Sequence, residues 1–167
     1  MINGDSFISM LNLVENSSSI LNMRKELDVP KPLIDADFKQ YGGNSIPMKS
    51  MGIELFFKDS CKYTEKDKGV YGNGDVVFSG VVFSYNSKIS APLNLQMGDS
   101  YEVVVEKLGR SQDYDTKRFP QKVWKFTRED GEKYLLYGFF EKDYSALISL
   151  RISAYTPQVE KLIPHIS

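Results

Sequence analysis

Histidine and cysteine each occur once, as His165 and Cys61, so chemistry here would fall mainly to carboxylates, tyrosines and lysines. His165 stands near the end of the sequence, a poor place from which to hold a base in register with a nucleophile, so no Ser/His/Asp or Cys/His pair is expected. One cysteine and one histidine cannot close the four-ligand shell of zinc. No G-x-x-x-x-G-K-[ST] run is present, and Gly69, Gly72 and Gly74 do not form G-x-G-x-x-G, so no loop is shaped to cradle phosphates. Asp59 with Glu65 and Asp67, or Asp113 with Asp115, offers oxygen ligands for Ca²⁺ or Mg²⁺. Neither group has the spacing of an EF-hand loop, and both read as solvated faces. A carboxylate pair assembled in space, as in glycosidases, leaves no sequence signature. The expectation is a protein that binds without catalysis, with no metal and no cofactor. The alternative is a small-ligand carrier or a carboxylate-based enzyme, with a cavity between sheet and helices.

Two polar loops hold the candidate recognition residues. Lys58 to Asp75 is glycine-punctuated and far longer than a hairpin turn, and it carries Tyr63, Glu65, Asp67 and Tyr71. Tyrosine supplies rigid contact area and carboxylates steer an approaching partner, so these four are the first contact candidates. A solvated loop is the plainer reading, because insertions in loops cost little. Arg110 to Gln121 carries Asp113, Tyr114, Asp115, Lys117 and Arg118, a mixed-charge run that reads first as solvated surface and second as a recognition surface.

The elements that would position these loops centre on residues 97–152. Within Met97 to Gly109, Asp99 is placed as an N-cap with Glu102 closing a capping box, and Gly109 stops the helix. Tyr101, Val104, Val105 and Leu108 share its apolar face. Three strand-like runs follow, VWKFTRED, KYLLYGFFEKD and ALISLRI, separated by turn signals at Asp130-Gly131 and near Lys142-Asp143. Residues 17–83 carry a fainter copy: Ser19 to Leu27 lies over Ser100 to Leu108, and Leu55 to Asp59 over Gly138 to Asp143, in the same order and at nearly equal offsets.

Other elements are read more coarsely. Asp5 or Ser6 is placed to cap a first helical segment with Phe7, Leu11 and Val14 on one face, broken around Asn16 to Ser19. Val29-Pro30-Lys31-Pro32 ends the second helix, and a connecting segment leads to a turn at Gly42-Gly43-Asn44. Gly52 to Phe57 reads as a strand with one of its two phenylalanines inward. Val76 to Tyr85 reads as a central strand, with Gly80 a bulge or a site of close backbone approach. Ile89 to Leu95 reads as a short extended edge segment around Pro92, and Pro157 to Ser167 as a short amphipathic turn. The fold class expected is α+β, one domain over 1–167, with helices on one face of a mostly antiparallel sheet built from two helix-plus-meander repeats.

Met97-Gly98, the helix ending Leu108-Gly109, Trp124-Lys125-Phe126, Leu135 to Phe140 and Leu147 to Ile152 together resemble the repeat of BamE/SmpA-type domains. Tandem copies occur in the beta-lactamase inhibitor protein and in bacterial immunity proteins that neutralise a toxin. The resemblance implies a cytoplasmic immunity protein whose partner is a cognate protein toxin. An assembly adaptor of the BamE type is another role within the same resemblance.

Bulk properties fit a globular binder. The 167 residues are 41% hydrophobic and 26% charged, and 21 basic against 22 acidic residues leave a net charge of −1, so no global field draws in nucleic acid or anionic lipid. The aromatic residues sit mostly among small apolar ones, as in a sheet core, and no nucleic-acid partner is expected. A lone cysteine fits a reducing compartment. The N-terminus has neither a basic start with an apolar stretch nor a lipobox cysteine, so no signal peptide is expected, and no run approaches the roughly 20 apolar residues of a membrane span. A homodimer through an exposed sheet edge remains open.

Overall fold

The computed structural model describes residues 1–62, 71–113 and 120–156, with only the backbone of 112 and 113. The described chain is α+β. Helices α1 (Gly4–Met10), α2 (Ser18–Leu27) and α3 (Ala36–Tyr41) precede strands β1 (Gly43–Met48), β2 (Ile53–Asp59) and β3 (Val76–Ser84). Helix α4 (Tyr101–Leu108) precedes β4 (Gln112–Asp113), β5 (Gln121–Thr127), β6 (Lys133–Phe140) and β7 (Leu147–Ala154). These strands form one antiparallel sheet in the order β1-β2-β3-β7-β6-β5-β4. Each half is a meander, and the two meanders join where β3 pairs with β7. No described helix is long and apolar enough to cross a membrane.

Strand alternation builds the core. In β2, Ile53, Leu55 and Phe57 are buried while Glu54, Phe56 and Lys58 are half-buried, so of the two adjacent phenylalanines Phe57 is the inward one. Phe83, Val81 and Phe78 of β3 stand opposite them in register, and Ile152 and Leu150 of β7 continue the rows. Trp124, Leu136 and Tyr134 extend the same apolar cluster, which also contains the buried apolar side chains of all four helices: Phe7, Ile20, Met23, Phe38 and Val104 among them.

Local chemistry moves several boundaries away from those the sequence suggests. The N-cap of α4 is Ser100, whose hydroxyl accepts from the Val103 amide at 3.2 Å. Asp99 lies outside the helix, and its carboxylate instead takes the Lys107 ammonium at 2.8 Å. Neither Asp5 nor Ser6 caps α1; Asn3 does, in a reciprocal capping box with Ser6. That helix stops at Met10, and Val14, expected on its face, forms an antiparallel bridge with Val77. The segment expected to connect Pro32 to Asn44 contains α3 and the start of β1. Asp35 caps α3 by accepting from the Phe38 amide at 2.8 Å, and Gly42, at φ +75°, ends it. Ile89 to Leu95 forms turns and no strand; its Leu93 amide donates to Asp5 at 2.7 Å.

Gly80 is the close approach anticipated for it, and the bulge falls on its neighbour. Phe56 pairs with Gly80 but Phe57 with Phe78, leaving Ser79 as the extra residue. A methyl group at Gly80 would collide with the Ile152 carbonyl. This is where β3 changes neighbours: its first residues pair with the chain around Val14, and those from Gly80 onward with β7.

Candidate functional site

The same alternation that buries Leu55 and Leu136 sends another set of side chains to the opposite face of the sheet. There, Glu54, Val82, Arg151, Tyr137 and Val123 form a row across β2, β3, β7, β6 and β5. The guanidinium of Arg151 lies over two rings, 4.9 Å from the Phe56 centroid and 6.0 Å from that of Tyr137. Its Nε is sealed from solvent with no hydrogen-bond partner, whereas its terminal nitrogens are neither sealed nor bonded to a described residue. An arginine stacked in this way keeps its in-plane donors for a planar acceptor while the rings fix its position.

Further along this face, the Tyr155 ring receives Lys125 at 5.1 Å and Lys133 at 5.6 Å. Beneath it, Val123 and Leu135 are fully buried in a small second apolar cluster. Near the other edge, burial, followed by the charge of Lys62, holds the Lys58 ammonium below its usual pKa. Glu54 is the carboxylate this face carries among its described strand residues, and it accepts from the Ser45 hydroxyl at 2.6 Å.

Beside this face, the 60–75 loop has a built neck. Asp59 ends β2 at an inward position and is buried. Its Oδ1 accepts from the Cys61 amide at 2.8 Å, and its Oδ2 from the amides of Gly72 at 2.8 Å and Gly74 at 3.2 Å. Burial pushes this carboxyl up, but the three amides and the Cys61 side chain outweigh it and hold the pKa below the ordinary carboxylate value. Asp59 therefore belongs to strand and core, not to a solvated, ion-binding face of the loop. A pair of bonds between Ser60 and Asp75 closes the neck: the Ser60 amide donates to the Asp75 carbonyl and the Asp75 amide to the Ser60 hydroxyl.

The anticipated contact residues divide unevenly over this structure. Tyr71 is half-buried beside Gly42, and its amide donates to the Lys39 carbonyl at 3.3 Å, so it packs on α3 at the β1 end of the sheet. Asp113 lies in β4, paired in register with Lys122, at the other end of the strand order. Six spacings of about 4.8 Å put those ends on the order of 29 Å apart, so Tyr71 and Asp113 are not neighbours. Tyr63, Glu65, Asp67, Tyr114 and Asp115 lie outside the described residues, as do His165 and the segment from Pro157 to Ser167. Phe56, Tyr137 and Arg151 were not singled out by sequence. The available signal was one cation within the strand run ALISLRI, at a position whose alternation points away from Leu150 and Ile152.

A groove of about 530 Å³ opens between α1, the turn at Leu93 and the β5–β6 hairpin, lined by Asp5, Ile8, Leu93, Arg128 and Tyr134 among others. Its polar groups already serve the fold. Arg128 pairs with Asp130 at 2.9 Å and donates to the carbonyls of Ile8 and Leu11, and Asp5 accepts from Leu93. Among the described residues, no three His, Cys, Asp or Glu side chains converge as a metal set would. No protein-family model matches the chain, and neither does any curated protein or solved structure.

Proposed function

We propose that this chain is a non-catalytic protein-binding module that captures a single protein partner on the half-open face of its sheet. The observation that carries this reading is Arg151, stacked between Phe56 and Tyr137 with donors unused by any described residue. Aromatic side chains and arginine are the types that anchor protein interfaces, and here they are fixed before a partner arrives. Residues 60–62 and 71–75, rooted through Asp59, lie beyond the end of β2 beside this face. Together with the resemblance of the helix-plus-meander sequence to immunity proteins, this supports a cognate bacterial toxin domain as partner, held in the cytoplasm. The exposed thiol of Cys61 suits that compartment.

The test is affinity capture from the native host with the tagged chain as bait and mass spectrometry as readout. One stoichiometric partner is expected, and the double variant Phe56→Ser/Tyr137→Ser should lose it while keeping its circular dichroism spectrum. A partner retained by that folded variant removes this face from the function. A small ligand recovered in place of any protein moves the function to the groove beside α1.

A further inference from the structure

Charge is unevenly distributed over this molecule. The whole chain carries a net charge of −1, yet the half-open face presents Lys58, Lys125, Lys133 and Arg151 against the single described strand carboxylate Glu54. That carboxylate is bonded to Ser45, and among the described residues no carboxylate pairs with Arg151 or Lys58. Partial burial of Lys58 and Arg151 without such a pair lowers the stability of the free protein, and an incoming anion relieves this.

We infer that the partner presents an acidic segment to this face and that one of its carboxylates is received by the Arg151 guanidinium. The inference rests on the binding reading above and names the chemistry of that partner. Three features favour a protein carboxylate. The guanidinium fork matches a carboxylate with two parallel hydrogen bonds, and its stacking fixes the orientation those bonds need. Arg151 has already lost water from Nε, so part of the desolvation cost is met on folding. Single-stranded nucleic acid would need open aromatic faces on which to stack bases. Arg151 lies over one side of the Phe56 and Tyr137 rings, and Lys125 and Lys133 lie over Tyr155, which leaves less ring surface for bases.

The experiment is a titration of the isotope-labelled full chain with poly-L-glutamate, followed by nuclear magnetic resonance, with poly-L-lysine and oligothymidylate as separate arms. Poly-L-glutamate is expected to move the Arg151 Nε–H signal and the amides of Phe56 and Tyr137, and poly-L-lysine to leave them in place. Arg151→Gln should weaken poly-L-glutamate binding about tenfold or more, since it removes a charge-assisted, two-bond contact. Arg151→Lys keeps the charge and most of the stem but not the fork, and should weaken it about fivefold. Equal binding by folded Arg151→Gln overturns the inference, and so does tighter binding of oligothymidylate than of poly-L-glutamate. A captured protein partner that stays bound to Arg151→Gln also overturns it while leaving the binding module intact. Loss of all protein capture with poly-L-glutamate binding kept would instead overturn the module.

Discussion

Asp59 shows how one residue can serve burial and presentation together. Strand alternation forces it inward after Phe57, where an unpaired carboxylate would be costly, and the chain returns at Gly72 and Gly74 to supply amides. A side chain at 74 would push Oδ1 of Asp59 from its place. Replacing Asp59 by Asn keeps the shape but removes the charge and an acceptor, leaving partly buried amides under-satisfied; a loss of about 1–3 kcal/mol at neutral pH is expected in urea denaturation. The pH dependence has a definite sign. A carboxyl held below its unfolded pKa of about 3.9 contributes stability that is present above that value and lost as pH falls through the lower, folded one. The gap between the native protein and Asp59→Asn should therefore shrink as pH drops below about 4. A gap unchanged between pH 7 and pH 3 would mean that the charge of Asp59 does not hold the neck of the loop. Ending the strand at Phe57 and reading Asp59 as a solvated face misses its burial, although extending the 53, 55, 57 alternation one step finds it; the pairing of Arg151 with two rings leaves no such signal, since Phe56 lies in the other meander and only the β3–β7 junction brings it near.

At the scale of elements, the sequence showed the strands that satisfy themselves and hid those defined by their neighbours. β2, β3, β5, β6 and β7 are rich in branched and aromatic residues, and their alternation or length announces them. β1 reads GNSIPM: its proline and mostly half-buried residues suit an edge strand, and it becomes a strand only by pairing with β2. β4 is two residues long and exists only through β5. α3 is too short for periodicity, though Asp35 three residues before Phe38, with Gly42 after Tyr41, is a start and stop signal that could have found it. Gly80 is the element-level position with the sharpest consequence. Backbone, not a movable side-chain end, lies where a methyl group would go, so β3 or β7 must shift to admit one. Gly80→Ala should cost about 2–3 kcal/mol in chemical denaturation, at the upper end for an overpacked site. A cost below about 0.5 kcal/mol, the range of ordinary surface changes, would mean that the junction yields freely.

For the whole molecule, the arrangement of meanders sets how it unfolds and what the proposed binding face depends on. Two halves that each fold as helix and meander could separate, but here their last strands pair and one apolar cluster runs through both, from Phe57 and Phe78 to Leu136 and Trp124. The proposed binding face is shared in the same way, with Phe56 from one half and Arg151 and Tyr137 from the other. Splitting the halves would therefore dismantle both core and site, and a single cooperative transition follows. Trp124, the only tryptophan, reports on this directly: it is buried in the second half, with its indole N–H donating to the Gly109 carbonyl at 3.0 Å. Its fluorescence should change at the same denaturant midpoint as the far-ultraviolet dichroism of the whole chain. Asp59→Asn, far from Trp124 in the first half, should move both midpoints together. A dichroism midpoint that shifts while the Trp124 midpoint stays fixed would show the meanders unfolding independently; a face assembled from both could not then be held rigid enough to position Arg151.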